Sequence, residues 1–598
     1  MNSSNPGSSV SPPRPRFRRL RRVVLALAII GTLTALFYAV EDWRGRAAWE
    51  KCKSELDAKG LRMDWTSYIP MDTVPADENF FKAPKMADWF VKKDPSNYTN
   101  QIAWKVPFVG GSNPIVVAEV TVVVSEGSAG IKSDGALRLD DPEAAQKAQK
   151  AVLDAIGPHV FGAQGYTYVT RPAEKIEPVQ IFLRADKMPG QEQLTALFPE
   201  DALAPHDYIR STTTALKIQA AGSNLFRIVL DPPPQSAAAF VSATDEMKGD
   251  FDLLRDALKR PYARAEGNYA SPATQPVLNF VQVRFAAQLF SERAQCHLML
   301  GQPEEALEDL TVIQDLCRML ECRPSGPTTL VGPMINVAVR GLYSLTVAEG
   351  IRLGAWREPQ LMALEQELQQ VDLPAQVRAG FREAGAAFCD VLGNFSAADF
   401  ARTMQKAKGG GVPERFWDYI GDGNFWRFAL MPRGWRYQNM VRSARAHEIM
   451  DEEFNLADGT LNPDKAAEIS IYVNGLSSGP YTYFVLSFLP NYMRAGVVTA
   501  YQQTTANEAL IACALERYRL AEGKFPDTLE ALMPHYLEKV PKDIIGGKPL
   551  IYHRTDDGKF MLYSIGWDQK DDGGVPSRSA AGINEWEKGD WVWLNSQP

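Results

Sequence analysis

The first strong pattern along the chain is an uninterrupted apolar run. VVLALAIIGTLTALFYAV, Val23 to Val40, carries no charged side chain. Eighteen such residues rise about 27 Å as an α-helix, just enough to cross the hydrocarbon core of a bilayer. From Trp43 to Gly60, Trp49 and Leu56 alternate with charged faces, which predicts a juxtamembrane helix continuing the span. Between Ile69 and Pro95 the run MDTVPADENFFKAPKMADWF mixes prolines with aromatics, and extended chain wrapping a surface is expected there.

Residues 101–235 then carry strand-like runs. IVVAEVTVVV (Ile115–Val124), VQIFLRA (Val179–Ala185) and FRIVL (Phe226–Leu230) are rich in β-branched residues. A helix is predicted at Asp141–Ile156, where Asp141 precedes Pro142 and Glu143. This region ends at Asp231–Gln235, whose proline run cannot continue a central strand.

From Ser236 to Gln502 the period becomes helical. Arg293–Leu320 reads as two amphipathic helices around Gly301-Gln302-Pro303, with Ala306, Leu310 and Ile313 at small and apolar positions like those of one tetratricopeptide hairpin. Leu345–Leu368 reads as a second pair around Gly354. The two glycines are 53 residues apart, not 34, so the expectation is irregular helical hairpins and not a regular tandem array. Lys408–Pro413 is a glycine-rich loop. Tyr481–Tyr492 is apolar but too short to span a bilayer, so a buried segment is expected.

The last hundred residues repeat a clear order. Leu510, Ile511, Ala514, Leu515 and Tyr518 make one apolar helix face, and Gly523 stops that helix. Asp527 with Glu530 reads as a capping box for a short helix at Leu529–Leu532. Pro549–Arg554 and Lys559–Gly566 are two strands joined by Thr555-Asp556-Asp557-Gly558, where Asp-Gly favours a hairpin, and Trp591–Leu594 adds a third. The order helix, RLAEGKFPDTLEAL, YLEKVPKD, IYHR and LYSIGWDQKDDGG resembles the globular part of the type II secretion major pseudopilin over about Thr499–Asp590. That resemblance implies a small antiparallel sheet behind a long helix. It also implies a calcium-holding loop, with Asp568, Asp571 and Asp572 as the matching ligands. The pseudopilin leader is not matched, because Gly31 is followed by TLTAL without a glutamate at the fifth position. The whole layout, an anchor ahead of a large exported part, resembles large membrane-anchored proteins of planctomycete and verrucomicrobial bacteria. That likeness implies location and layout, and no activity.

The predicted fold class is therefore α+β and helix-dominated. A disordered basic tail (1–22) and a transmembrane helix (23–40) precede a juxtamembrane helix with a small α+β region (41–235). A helical-hairpin domain (236–500) and a pseudopilin-like module (501–598) follow.

Charge supplies the orientation. Arg14, Arg16, Arg18, Arg19, Arg21 and Arg22 all precede the span, and Glu41 and Asp42 follow it. The positive-inside rule then places the N-terminus in the cytoplasm and the bulk outside it. A cleaved signal peptide is the alternative, but cuts after Ala39 or Ala48 put Phe37 or Arg46 where a small residue is needed. The chain as a whole, 598 residues with a net charge of −8, has no basic excess for a nucleic-acid partner. Membrane lipid around residues 23–40 and a protein partner in the cell envelope are the expected contacts. None of the six cysteines forms a CxxC pair, and buried free thiols are expected.

Catalytic chemistry is weakly signalled. No GxSxG, P-loop, GxGxxG or HExxH occurs. His447-Glu448 with Asp451 gives HExxD, which places a histidine and a carboxylate one helical turn apart. A solvated charged helix is the better reading. Trp417, Trp426, Trp435 and Arg436 lie in an aromatic-rich stretch with Tyr419, Phe425 and Phe428. This group reads as a surface for glycan or peptide, or as a large core anchor. The expected function is an extracytoplasmic scaffold or partner-binding protein. The alternatives are an envelope hydrolase acting on glycan or peptide, and a secretion-linked pilin-like subunit.

Overall fold

The apolar run and the amphipathic segment after it form one helix, α1 (Arg16–Ala58), unbroken over 43 residues. No proline interrupts it, so the apolar run, long enough to cross a bilayer, passes directly into the amphipathic part. The computed structural model describes residues 16–92, 115–118, 121–125, 128–132, 179–184, 216–222, 225–230, 237–321, 330–401, 423–489, 494–578 and 584–593.

After a short helical turn at Trp65–Tyr68, the stretch expected to be extended contains a second turn at Phe80–Lys82 and α2 (Met86–Phe90). Asn79 starts the second turn, its Oδ1 accepting from the Phe81 amide at 3.2 Å. Phe80, Phe81, Met86 and Phe90 are all buried, so aromatics pin this segment in place.

Strands follow. The run expected as one strand divides into β1 (Ile115–Ala118) and β2 (Thr121–Ser125), and β2 pairs with β3 (Ser128–Lys132) in an antiparallel hairpin. With β4 (Val179–Arg184), β5 (Leu216–Gly222) and β6 (Leu225–Leu230), β1 forms a four-stranded sheet ordered β1-β4-β6-β5. β1 and β4 are parallel and the other pairs antiparallel. β5 (LKIQAAG) was not expected, because its small residues leave little strand pattern. The helix expected at Asp141–Ile156 lies outside the described residues.

The helical region is built from α3 (Ala237–Asp245), α4 (Lys248–Leu258), α5 (Phe280–Met299), α6 (Pro303–Leu320), α7 (Val331–Arg352), α8 (Glu358–Leu368) and α9 (Leu373–Asn394). Both expected hairpins form. Gly301 (φ +71°) turns α5 into α6, and Gly354 (φ +61°) turns α7 into α8. Trp356 is fully buried beside α7, where its Nε1 donates to the Val347 carbonyl at 3.0 Å. A Cβ at Gly350 would lie 2.0 Å from that nitrogen, so only glycine leaves room for the indole.

Next come α10 (Gly423–Ala429), α11 (Arg433–Glu452), a two-stranded ribbon of β7 (Phe454–Asn455) and β8 (Thr460–Leu461), α12 (Pro463–Asn474) and α13 (Tyr483–Phe488). α14 (Ala495–Glu522) then packs on α7 and α8. It stops at Gly523 (φ +73°) as expected. The turn at Leu529–Leu532 also forms. Its first residue is preceded by Thr528, however, and Asp527 pairs instead with Arg554 at 2.7 Å, so the expected capping box is corrected. β9 (Ile551–Arg554) and β10 (Phe560–Ser564) make the expected hairpin. A second ribbon joins β11 (Pro576–Arg578) to β12 (Asn584–Gly589), and β13 (Trp591–Val592) completes the sheet β13-β10-β9.

The contacts divide the chain into two units. One combines 1–64, 385–448 and 472–490. The other combines 65–384, 449–471 and 491–598, so α14 and the C-terminal strands share a unit with the helical hairpins. The five described cysteines are free and buried, as the sequence suggested.

Candidate functional site

In the unit that contains it, α1 meets its folded partners along one face. Glu41, Gly45, Trp49, Cys52 and Leu56 recur at helical spacing. Trp49, Cys52 and Leu56 are buried in a core with Leu392, Phe395, Phe400, Phe428 and Phe484. Gly45 and Gly434 let two backbones touch. A Cβ on Gly45 would lie 2.3 Å from the Gly434 carbonyl oxygen, and a Cβ on Gly434 would lie 1.9 Å from that of Glu41.

One turn nearer the apolar run, the carboxylates that follow it are fixed. Glu41 is buried and accepts from Trp435 Nε1 at 3.0 Å, Tyr481 Oη at 2.8 Å and Arg44 Nη1 at 3.0 Å. Burying a carboxylate is tolerated when several donors replace water. The bond to Glu41 is also the main reason the Tyr481 hydroxyl has a raised pKa. Asp42 Oδ1 accepts from the Gly434 amide at 2.7 Å and so caps the start of α11. Tyr38, still inside the apolar run, donates its hydroxyl to the Leu430 carbonyl at 2.6 Å. Phe37 and Tyr481 each meet the Trp435 ring edge-on, at 6.1 and 5.9 Å.

The residues expected to form a binding surface separate here. Trp435 lies against α1 and donates to Glu41. Arg436 stacks over Phe428 at 4.6 Å and donates to the carbonyls of Phe395 (3.3 Å) and Leu392 (3.5 Å) at the end of α9. Burial, and then the neighbouring Arg433, lower its pKa. These two side chains are taken up by contacts within their own unit. Trp426 is 43% exposed, whereas Phe425 and Phe428 beside it are buried. Trp417 lies outside the described residues.

The HExxD stretch is not solvated, contrary to expectation. His447 is buried, its Nδ1 is 2.8 Å from the Ser443 carbonyl, and burial lowers its pKa. Glu448 pairs with Lys59 at 2.5 Å and Arg445 at 2.8 Å. In the other unit Asp451 is gripped by Arg378 (2.9 and 2.7 Å) and Arg382 (2.5 and 2.9 Å), both bidentate. Burial alone would raise the Asp451 pKa, but the two guanidiniums hold it below the usual value.

The acidic loop after β10 is organised by a residue that the sequence reading missed. Asp590 is 1% exposed, and its Oδ2 accepts from the amides of Asp572 (3.0 Å), Gly574 (2.7 Å) and Val575 (3.3 Å). Asp568 accepts from the amides of Lys570 (3.3 Å) and Gly589 (3.2 Å). Asp571 accepts from Tyr563 Oη (3.1 Å) and the Gly573 amide (3.0 Å). Three amides converge on one oxygen of this carboxylate and fix the backbone of the loop around it. Among the described residues no three His, Cys, Asp or Glu side chains come together as metal ligands. The signal for Asp590 was a lone acid between Gly589 and Trp591, at the start of the closing strand.

The unit with the hairpins also holds a cavity of about 460 Å³. Its wall includes Phe80, Tyr262 and Met319 together with Lys259, Arg260, Arg318 and Arg340, against the acids Asp315 and Glu321. Arg318 is taken up by Asp315 (2.8 Å) and Glu367 (2.9 Å). Arg260 donates to the carbonyls of Ala76 (3.1 Å) and Asn79 (3.0 Å). Arg340 is 4% exposed. It donates to Gln314 and lies 3.9 Å from Glu321, and its Nε has no protein acceptor. Comparison with known protein families, with curated proteins and with solved structures finds no match for this chain.

Proposed function

We propose that this is a single-pass, membrane-anchored scaffold whose extracytoplasmic body binds a partner in the cell envelope. The observation that carries the reading is α1. Its apolar half is exposed, and its other half is locked into the folded unit through Gly45–Gly434 and the three donors on Glu41. An isolated soluble protein would leave eighteen apolar residues in water, whereas a bilayer covers them. The direct coupling of span to body supports a role in which the position of the body relative to the membrane matters. Orientation with the N-terminus in the cytoplasm follows from the six upstream arginines.

The recognition part of the reading draws on the cavity. Its size is in the range of small-ligand sites, and its excess of guanidinium groups suits a partner group bearing a carboxylate. The pseudopilin-like order of α14 and the C-terminal strands supports a borrowed structural module.

Alkaline carbonate extraction tests the anchor. The full chain is expected in the membrane pellet, and a chain lacking 23–40 in the soluble fraction. Recovery of the full chain in the supernatant overturns the anchor. Co-purification from membranes tests recognition. A partner whose recovery falls with Arg340→Gln supports the cavity, and recovery unchanged by that substitution removes it.

A further inference from the structure

We propose that the end of the anchor-bearing unit formed by α10 and its following turn docks into the lipid headgroup layer beside the point where α1 leaves the bilayer. The inference rests on the reading of α1 as a membrane span.

The argument begins with depth. Tyr38 lies two residues, about 3 Å along the helix, before the end of the apolar run. Its hydroxyl is bonded to the Leu430 carbonyl at 2.6 Å, so the turn after α10 stands level with the last apolar turn of the span. Whatever medium surrounds α1 at Tyr38 also meets Leu430.

The residues at that level are those an interface selects. Leu430 is 63% exposed, and Trp426, four residues earlier and hence on the same face, is 43% exposed. Phe425, just before Trp426, and Phe428, between Trp426 and Leu430, are buried in the core. α10 therefore keeps aromatic residues on both faces, which water alone would not favour. On α1, Trp43 is 73% exposed just past the apolar run. Tyr483 is exposed as well, and the guanidinium of Arg427 lies over its ring at 5.6 Å while donating to its hydroxyl at 3.0 Å. Amphipathic rings with polar tips, next to arginine, match the headgroup region: the rings bury against acyl carbons and the cation meets phosphate.

A lipid surface is favoured over a protein partner because the patch is continuous with the lipid-facing side of α1. Phe37 and Val40 are exposed on that helix immediately before Trp43. A protein covering Leu430 at this height would have to displace the lipid around the span.

The test uses the full chain in nanodiscs whose acyl chains carry bromine either near the headgroup or near the chain terminus. Subtracting the tryptophan emission of Trp426→Phe from that of the wild type isolates the Trp426 component. That component is expected to lose most of its intensity with bromine near the headgroup, less with terminal bromine, and little with aqueous iodide. Leu33→Trp, in the middle of the span, serves as the reference. Quenching of the Leu33→Trp emission by brominated lipid with a Trp426 component that answers only to iodide overturns the docking surface and leaves the anchor standing. No quenching of either by brominated lipid overturns both. A second probe, Leu430→Cys carrying a nitroxide, is expected to relax faster with oxygen than with a water-soluble nickel chelate, and the reverse order also overturns the proposal. The described native cysteines are buried, and the wild type controls for their labelling.

Discussion

Gly434→Ala probes the junction between span and body. The added Cβ would sit 1.9 Å from the Glu41 carbonyl oxygen, 2.3 Å from its carbon and 2.8 Å from the Asp42 nitrogen. All three are backbone atoms, so no rotamer change relieves the clash. To reach an ordinary contact of 3.4 Å, α1 and α11 must part by roughly 1.5 Å. Overpacking of this kind costs about 1–3 kcal/mol. The same movement stretches the bonds from the Gly434 amide to Asp42 and from Trp435 and Tyr481 to Glu41. Losing one charge-assisted bond adds about 1.5–3 kcal/mol. A total of about 3 kcal/mol lowers the unfolding transition of this unit by roughly 10 °C. The assay is a heating scan of the full chain in detergent, together with hydrogen exchange on peptides from residues 433–448. Gly479→Ala is the control, because a Cβ there meets nothing within 4 Å. A Gly434→Ala chain with the control's transition and unchanged exchange would refute the close crossing.

Three further outcomes are expected. Glu453 is buried against Gly496, and burial pushes its carboxyl up to about 8 from 4.5. The native state then holds a proton that the unfolded chain releases, so this contribution is fullest below pH 4.5 and falls as pH rises toward 8, by up to about 3 kcal/mol at pH 7. Glu453→Gln should flatten that part of a stability-against-pH curve measured by denaturant unfolding, and an unchanged slope contradicts the burial argument. Asp590→Asn should loosen the loop at 571–575 and raise its proteolysis, while millimolar calcium leaves the wild-type transition where it was; a calcium-dependent rise would restore the metal reading. Arg340→Met keeps much of the side-chain volume but removes the cavity's buried guanidinium, so an anionic partner should bind at least tenfold more weakly with the fold intact, as read by titration against the purified partner.

The legible features were those written in local pattern. The long apolar helix was visible because eighteen uncharged residues stand in a row. The hairpin turns at Gly301 and Gly354 and the Asp-Gly turn before β10 were visible because their backbone needs select residue types. The site features were hidden because their partners are distant in sequence. Glu41 looked like a charge closing the span, and its donors Trp435 and Tyr481 lie 394 and 440 residues away. RAHEIMDEEF looked solvated because nothing local announces the arginines at 378 and 382. LYSIGWDQKDDGG advertised its carboxylates, but the geometry turns on its amides and on Asp590, a residue beyond the stretch. Trp435 and Arg436 suggested a surface because aromatic composition alone does not tell which ring faces inward.

The central claim is that α1 crosses a membrane with its arginines in the cytoplasm and carries the body to the other side. A reporter that is active only outside the cytoplasm, fused after Pro598, tests it most directly. The account predicts activity from the fusion in intact cells, and a silent fusion whose cytoplasm-active counterpart is bright would contradict it.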